Sequence, residues 1–396
     1  FKKEACAWAA DLLTNQFGLD PERLYYTVYS TDDEAEQIWL ELGVPPERIY
    51  RFGDEDNWWG PAGNEGVCGP SSEINYYRGS LDDVPHVDDP IRNGQWGPNY
   101  HKDFIELYNL VFTQFYRDAE GNDTVLPAKN IDTGMGFERM LAVLQDVDNV
   151  YDTDAFSDII AHVEKLSGKK WNADADIDRA IRVVAEHARS SCFLIGDGVI
   201  PGNTGRGYVL RRLIRRGMLF GRDLGINDST LSSLTKTIRD QMSHIYPELA
   251  QNYDFIKNVL KQEENSFSRT LEFGALVLSG MINYRFENPD AARLARDGKQ
   301  LEPPTGDEAH VIGRRQAMSE VQSLIESDNT DGLDFWQTRI SGKEAFVLYD
   351  TYGYPFEVTE EVARKAGLSI DADGFSSEMQ NQRERGRAVG AFGGNA

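Results

Sequence analysis

The 396-residue chain carries 41 Lys and Arg against 65 Asp and Glu, a formal net charge of −24, with 40% hydrophobic and 27% charged residues. That length predicts two or three domains with substantial cores, and the charge argues against non-specific nucleic-acid binding by the chain as a whole. No apolar run approaches the ~18 residues of a membrane span; three cysteines, Cys6, Cys68 and Cys192, odd in number and far apart, fit a reducing cytoplasm without a disulfide framework.

The opening residues, FKKEACAWAADLLT, predict an amphipathic helix with Phe1, Ala5, Trp8 and Leu12 on its apolar stripe, not a signal peptide. Strands are predicted over RLYYTVYS (23–30), SSEINYY (71–77) and FIELYNLVFTQFYR (104–117). They do not alternate regularly with helices, and no GxGxxG follows a strand. The expected fold class is therefore α+β, an antiparallel sheet flanked by helices, over residues 1–165. From 166 the helical period takes over and predicts an all-helical domain over 166–285 that resumes over 341–385. Between them, residues 286–340 (beginning ENPDAARLARDGKQLEPPTGDE) read as a polar insertion, and 386–396 as a linker. The six histidines show no HxxxH spacing and the cysteines no CxxC, so no zinc site built from protein ligands is expected here.

Three stretches carry candidate chemistry. In NIDTGMGFERMLAVLQ (130–145), Phe137, Met140, Leu141 and Leu144 share one helical face and Arg139 points nearly opposite. Gly134 and Gly136 allow a ligand close to the backbone, a helix N-terminus suits phosphate, and Asp132 suits a cation. The plainer alternative is that Asp132 caps the helix and Arg139 is solvated. Glu106 is an acid in an apolar, aromatic strand, which calls for a partner, a metal or an exposed edge. Strict alternation puts Glu106 and Tyr108 on one face, Asn109 and Val111 on the other. Finally, GRGYVLRRLIRRGMLFGR (205–222) holds six arginines and no acid, with Arg211, Arg212, Arg215 and Arg216 in one sector opposite Leu210, Leu213, Ile214 and Met218. Such a face suits phosphate oxygens.

Together with DNWW (56–59), CGPSSEI (68–74), IELYNLVFTQF (105–115), DTGMGFER (132–139), IGDGVIPGNTGRGYVLRRLIRR (195–216) and LYDTYGYPFEVT (348–359), the sequence resembles the alanyl-tRNA synthetases, class II aminoacyl-tRNA synthetases, in motif order and over nearly the whole chain. Ser71, Tyr108 and Gly202 depart from the residues usual there. The resemblance implies an alanine–tRNA ligase that forms alanyl-adenylate from alanine and ATP and transfers alanine to its tRNA. It implies Asp132, Arg139 and Glu106 as catalytic residues. Asp132, Asn109, Val111, Gly134 and Trp59 would bind alanine. Glu106, Gly136 and Arg139 would bind ATP, with Mg2+ at Glu106. Asn203, Asp350, Arg206, Arg211, Arg212 and Arg215 would contact the tRNA acceptor stem, while neither a membrane nor DNA is an expected partner. Because Glu106 and Asn109 then belong to one site, a β-bulge or sharp twist is expected between them. The resemblance also implies that the first class II motif and part of the second lie upstream of Phe1, that zinc belongs to an editing region beyond residue 396, and that the fragment alone is poorly active. A synthetase-like RNA-binding module without activation chemistry, and a class II enzyme for another amino acid, are the competing readings.

Overall fold

The computed structural model describes residues 1–391 apart from 227–228, 291–292, 295–296, 298–303, 307, 328, 330–331 and 333–334, with side chains described to residue 382. The chain divides into two compact units between His162 and Val163.

The first unit is built on a six-stranded sheet of order β2-β1-β4-β5-β6, with β3 pairing β4 off that path. The strands are β1 (Leu24–Tyr29), β2 (Ile49–Phe52), β3 (Trp58–Trp59), β4 (Gly66–Tyr77), β5 (Phe104–Arg117) and β6 (Asp123–Met135). All pairings are antiparallel except β1 with β2, which run parallel. The parallel pair arises because α2 (Asp33–Glu41) forms the crossover between them. β6 carries none of the expected alternation: it is an edge strand, mostly exposed, with Pro127 and Lys129 along it.

One face of the sheet is apolar. Leu24, Tyr26, Val28, Ile74, Leu110 and Phe112 pack there with residues of α1 (Lys2–Asp11), α2 and α4 (Phe137–Leu144). In α1 the buried stripe is Ala5, Cys6 and Ala9, continued by Leu13, and shares only Ala5 with the expected one. Phe1 and Trp8 are exposed, because small side chains let the helix approach the sheet closely. Likewise in α4 the buried residues are Met140 and Ala142, with Val143 packed beside them, whereas Phe137 is 57% exposed. This two-turn helix follows the edge strand and has few neighbours to cover a wider stripe.

The boundary falls within α5 (Ser157–Ser167), and the second unit is helical: α6 (Ala175–Gly196), α7 (Gly205–Asp223), α8 (Thr230–Met242), α9 (Glu248–Gln251), α10 (Tyr253–Glu287), α11 (Ala309–Glu326), α12 (Gly342–Asp350), α13 (Phe356–Lys365) and α14 (Ala372–Ala391), with a two-residue parallel pair, Arg339–Ile340 and Ser369–Ile370. Helix α8 starts after Ser229, which provides no cap; Glu264 of α10 substitutes, accepting from the Leu231 and Ser232 amides at 2.6 and 3.4 Å. The expected polar insertion contains α11, whose Val311, Ala317 and Val321 are buried. A Cβ on Gly313 would fall 1.8 Å from the Val277 carbonyl oxygen, so α10 and α11 meet backbone to backbone. The expected linker is helical through Ala391, and 392–396 lie outside the described residues.

Arg285, wholly buried in α10, donates to the carbonyls of Trp336 and Met281, both at 3.0 Å, and pairs with buried Glu344 at the start of α12. Breaking such a pair strands a charge in a dry core. Arg285→Met is expected to lower the stability of this unit by roughly 3–5 kcal/mol, read from denaturant midpoints; a midpoint within error of the parent would refute the assignment.

Candidate active site

The second face of the sheet is polar at its centre. Across β4 and β5, Glu73 pairs with Asn109, and Asn75 with Glu106, although 73 and 75 are two residues apart and 106 and 109 are three. The extra residue is a β-bulge, and both Leu107 and Tyr108 turn into the apolar core. The expected break in alternation is therefore present, and it brings Glu106 and Asn109 to one face. Val111 and Asp132 are cross-strand partners, as are Asn109 and Gly134, so all four share that face as well. Trp59, on the short strand β3, pairs with Gly69 and is exposed.

The residues between β6 and α4 hold the bulge from the far side. The Gly136 amide donates to the Leu107 carbonyl at 3.0 Å, and Arg139 Nη1 donates to the Glu106 carbonyl at 3.1 Å and to its carboxylate at 2.8 Å. A Cβ on Gly136 would meet Arg139 Cδ at 3.1 Å, so glycine leaves space for the arginine to fold back. Gly134 has nothing within 4 Å of a built Cβ and faces open space. Asp132 lies on β6, four residues before the N-cap Gly136; it is no helix cap, is exposed, and has no hydrogen-bond or ion-pair partner among the described residues. A cavity of about 490 Å³ opens beside Glu106 and Arg139, lined also by Asn75, Asn99, His101 and Phe104.

Glu73, missed as a site residue in the sequence, lies at the centre, 8% exposed. One oxygen accepts from Asn109 Nδ2 at 3.2 Å, the other from Thr27 Oγ1 at 3.4 Å. Burial, then the neighbouring Glu106 charge, raises its pKa to about 7. The only signal for it was position in the CGPSSEI motif, because among Ser71, Ser72 and Asn75 an acid reads as one more exposed polar residue. Near it, Asn57 Oδ1, Asn75 Nδ2 and Asn109 Oδ1 are buried without a partner. Buried polar atoms in native proteins are rarely left so, and a cluster of them marks a place for ligand or ordered water. Among the described residues no group of three or more His, Cys, Asp or Glu side chains could hold a metal ion.

In the helical unit, the arginines of α7 divide into two sets. Arg211 and Arg215 pair with Glu263 at 3.2 and 3.0 Å, Arg211 also reaches Asn203, and Arg216 lies 2.8 Å from His187 Nε2. Arg206 and Arg212 are exposed and have no partner among the described residues. Not all of the basic sector is therefore free for phosphate. Asp350 is the last residue of α12, where the helix dipole disfavours a carboxylate, so it is not an N-cap; Gln382 donates to it. Tyr208 and Tyr349 hydroxyls, 3.3 Å apart, link the segments bearing Asn203 and Asp350.

A mixed sheet with an acid–arginine latch on its polar face, beside a strand-borne acid and two glycines, accords with the family model for class II tRNA synthetases (A), which matches residues 1–294 and 316–394; the chain belongs to that family. Among curated relatives, the alanine–tRNA ligase of Dehalococcoides mccartyi strain BAV1 is 41% identical over 394 residues, 99% of this chain and 39% of the relative. Those of Pediococcus pentosaceus and Exiguobacterium sibiricum are 40% and 39% identical over 98% and 100% of the chain. The chain spans 38–39% of the length of these relatives.

A raised carboxyl pKa means that the folded state holds its proton longer than the unfolded chain. Glu73 therefore costs no stability below the ordinary carboxylate range, and carries a cost that grows as pH rises to about 7 and is fully present above it. Glu73→Gln is expected to raise the stability of this unit at about pH 8 by roughly 2–4 kcal/mol, read from denaturant midpoints, and to leave it unchanged near pH 4. Equal effects at both pH values would contradict a buried, ionising carboxyl.

Proposed function

We propose that the chain is the part of an alanine–tRNA ligase that activates alanine and engages the acceptor stem of alanine tRNA. The observation that supports this most is the Leu107 bulge. It gathers Glu106, Asn109, Val111, Asp132 and Gly134 onto one face, with Arg139 folded against Glu106. In this reading Asp132 takes the ammonium of alanine, and Asn109, Val111, Gly134 and Trp59 bound a small pocket. Arg139 neutralises phosphate charge, and Gly136 leaves room for it beside ATP. Glu106 meets ATP with its Mg2+. The fit is reasonable for a cation that arrives with the nucleotide: Mg2+ ordinarily takes one or two carboxylates plus phosphate oxygens, and Glu106 is 36% exposed.

The alanine carboxylate oxygen attacks the α-phosphorus, pyrophosphate leaves, and alanyl-adenylate remains. A hydroxyl of the tRNA's terminal adenosine then attacks the carbonyl and releases AMP. No protein nucleophile is needed, and the rate enhancement comes from positioning and charge stabilisation. In the helical unit Asn203 and Asp350 read base edges in a shallow RNA groove. Arg206 and Arg212 contact the backbone, with Arg211 and Arg215 bracing the helix through Glu263. The setting is cytoplasmic. Among the described residues no helix is long and apolar enough to cross a membrane.

Thermal stabilisation tests the small pocket. A non-hydrolysable alanyl-adenylate analogue is expected to raise the melting temperature above its seryl and glycyl counterparts, with a loss of roughly 1–3 kcal/mol in binding for the missing methyl group. Asp132→Asn should weaken the alanyl analogue by about two orders of magnitude, as truncating one side of a charge pair does. No shift with any of the three analogues would overturn the reading.

Arg206→Ala and Arg212→Ala should each reduce the salt dependence of acceptor-stem RNA binding, by about 0.7–0.9 in the logarithmic slope per lost phosphate contact. Arg216→Ala should leave that slope unchanged. Identical slopes for all three would remove the backbone role of Arg206 and Arg212.

A further inference from the structure

Glu73 does more than fill the floor of the site: its hydrogen bonds dictate how two amides are turned. An ionised carboxylate can only accept. Asn109 must therefore present Nδ2 to it, and Thr27 must point its hydroxyl hydrogen at it. With that hydrogen committed, Thr27 Oγ1 can only accept from the next group, and Asn57 presents Nδ2 to it at 2.8 Å. A second bond from Asn57 Nδ2 to the Ser71 carbonyl, at 3.2 Å, holds the same orientation. Both asparagine carbonyls are left without a donor although both are buried.

We propose that Glu73 is a positioning residue that fixes the Asn109 amide with its carbonyl oxygen turned away from Glu73 and unpartnered, as an acceptor kept for the ammonium group of the amino-acid substrate. The proposal rests on the reading of this face as an amino-acid site. Asn109 stands between Gly134, which leaves open space, and Val111, whose partner is Asp132. A carbonyl and a carboxylate on one face suit a group that is all donors and positively charged. If Asn109 were free to turn, half its orientations would aim an N–H at that ammonium. The cost of holding a buried acid in the centre of a sheet is thereby explained by what it orients. The charges facing Glu73 are Glu106 from β5, Asp56 from the short helix Asp54–Asn57, and Arg139 from α4.

The test compares two ligands on the 396-residue chain by calorimetry: a non-hydrolysable alanyl-adenylate analogue, and the same compound with propionyl in place of alanyl, which lacks only the amine. Glu73→Gln can donate as well as accept, so it releases Asn109 to turn. It is expected to weaken the alanyl analogue about tenfold and the propionyl analogue less than about twofold. In the parent chain, without any substitution, affinity for the alanyl analogue should fall several-fold as pH drops from about 8 to about 6, as Glu73 takes up its proton and becomes a donor. This decline should be missing in Glu73→Gln and for the propionyl analogue, which ties it to Glu73 and to the amine. Equal losses for both analogues, or none for either, would overturn the positioning role while leaving the amino-acid site intact. Failure of the parent chain to bind either analogue would overturn the site itself, and this proposal with it.

Discussion

Between Glu106 and Asn109, strand β5 sends two consecutive side chains, Leu107 and Tyr108, into the same apolar core, and this displacement decides what chemistry faces the open side of the sheet. Without it, Glu106 would point away from Asn109, and the arginine that folds back from α4 would find no carboxylate. The bulge is held through its own carbonyls: Leu107 accepts from Gly136 and Glu106 from Arg139. Backbone irregularity and side-chain pairing are one structure, since the residues that bond the irregular carbonyls are those of the DTGMGFER stretch. The sheet can carry a polar site because its other face is buried by helices, which supplies stability that the site itself does not.

The polar face is expensive. Glu73 sits with its charge disfavoured by burial and by Glu106, and three asparagine side chains near it keep an unpartnered polar atom. Each such group costs about 1–3 kcal/mol when unsatisfied. Three such asparagines gathered about one raised carboxyl on one face of a sheet are the mark of a site built for a ligand rather than for stability. The helical unit places its cost differently: its buried charges, Arg285 with Glu344 and Glu264 with the α8 amides, are matched within the chain.

Much of this was legible in the sequence. The apolar, aromatic run 104–117 is a strand over its full predicted length, and the helical periods beyond 166 became helices. The bulge could be anticipated, but only by combining strand alternation with a family resemblance that put Glu106 and Asn109 in one site. The rest was not legible. Strand β6 is an edge with few buried residues, so its pattern has no period to read. The stripes of α1 and α4 do not follow their largest residues, because close packing against the sheet is made by alanine, cysteine and methionine. Glu73 escaped because nothing local distinguishes a central acid from an exposed one; its partners, Thr27 and Asn109, are 46 and 36 residues away. Similarly, a helical wheel shows that α7 is basic but cannot show that Glu263 and His187 already occupy three of its arginines.

Under the proposed function, the latch between Arg139 and Glu106 has a consequence for how a nucleotide would meet this chain. With its guanidinium against a carboxylate, the cavity mouth presents a dipole, whose field dies away faster with distance than that of a lone cation. On a chain of net charge −24, an incoming polyanion gains little attraction from afar and is first repelled. In that proposal capture would work as a partner exchange at contact, with phosphate oxygens drawing the guanidinium off its acid, and discrimination would fall to the moment of departure rather than arrival.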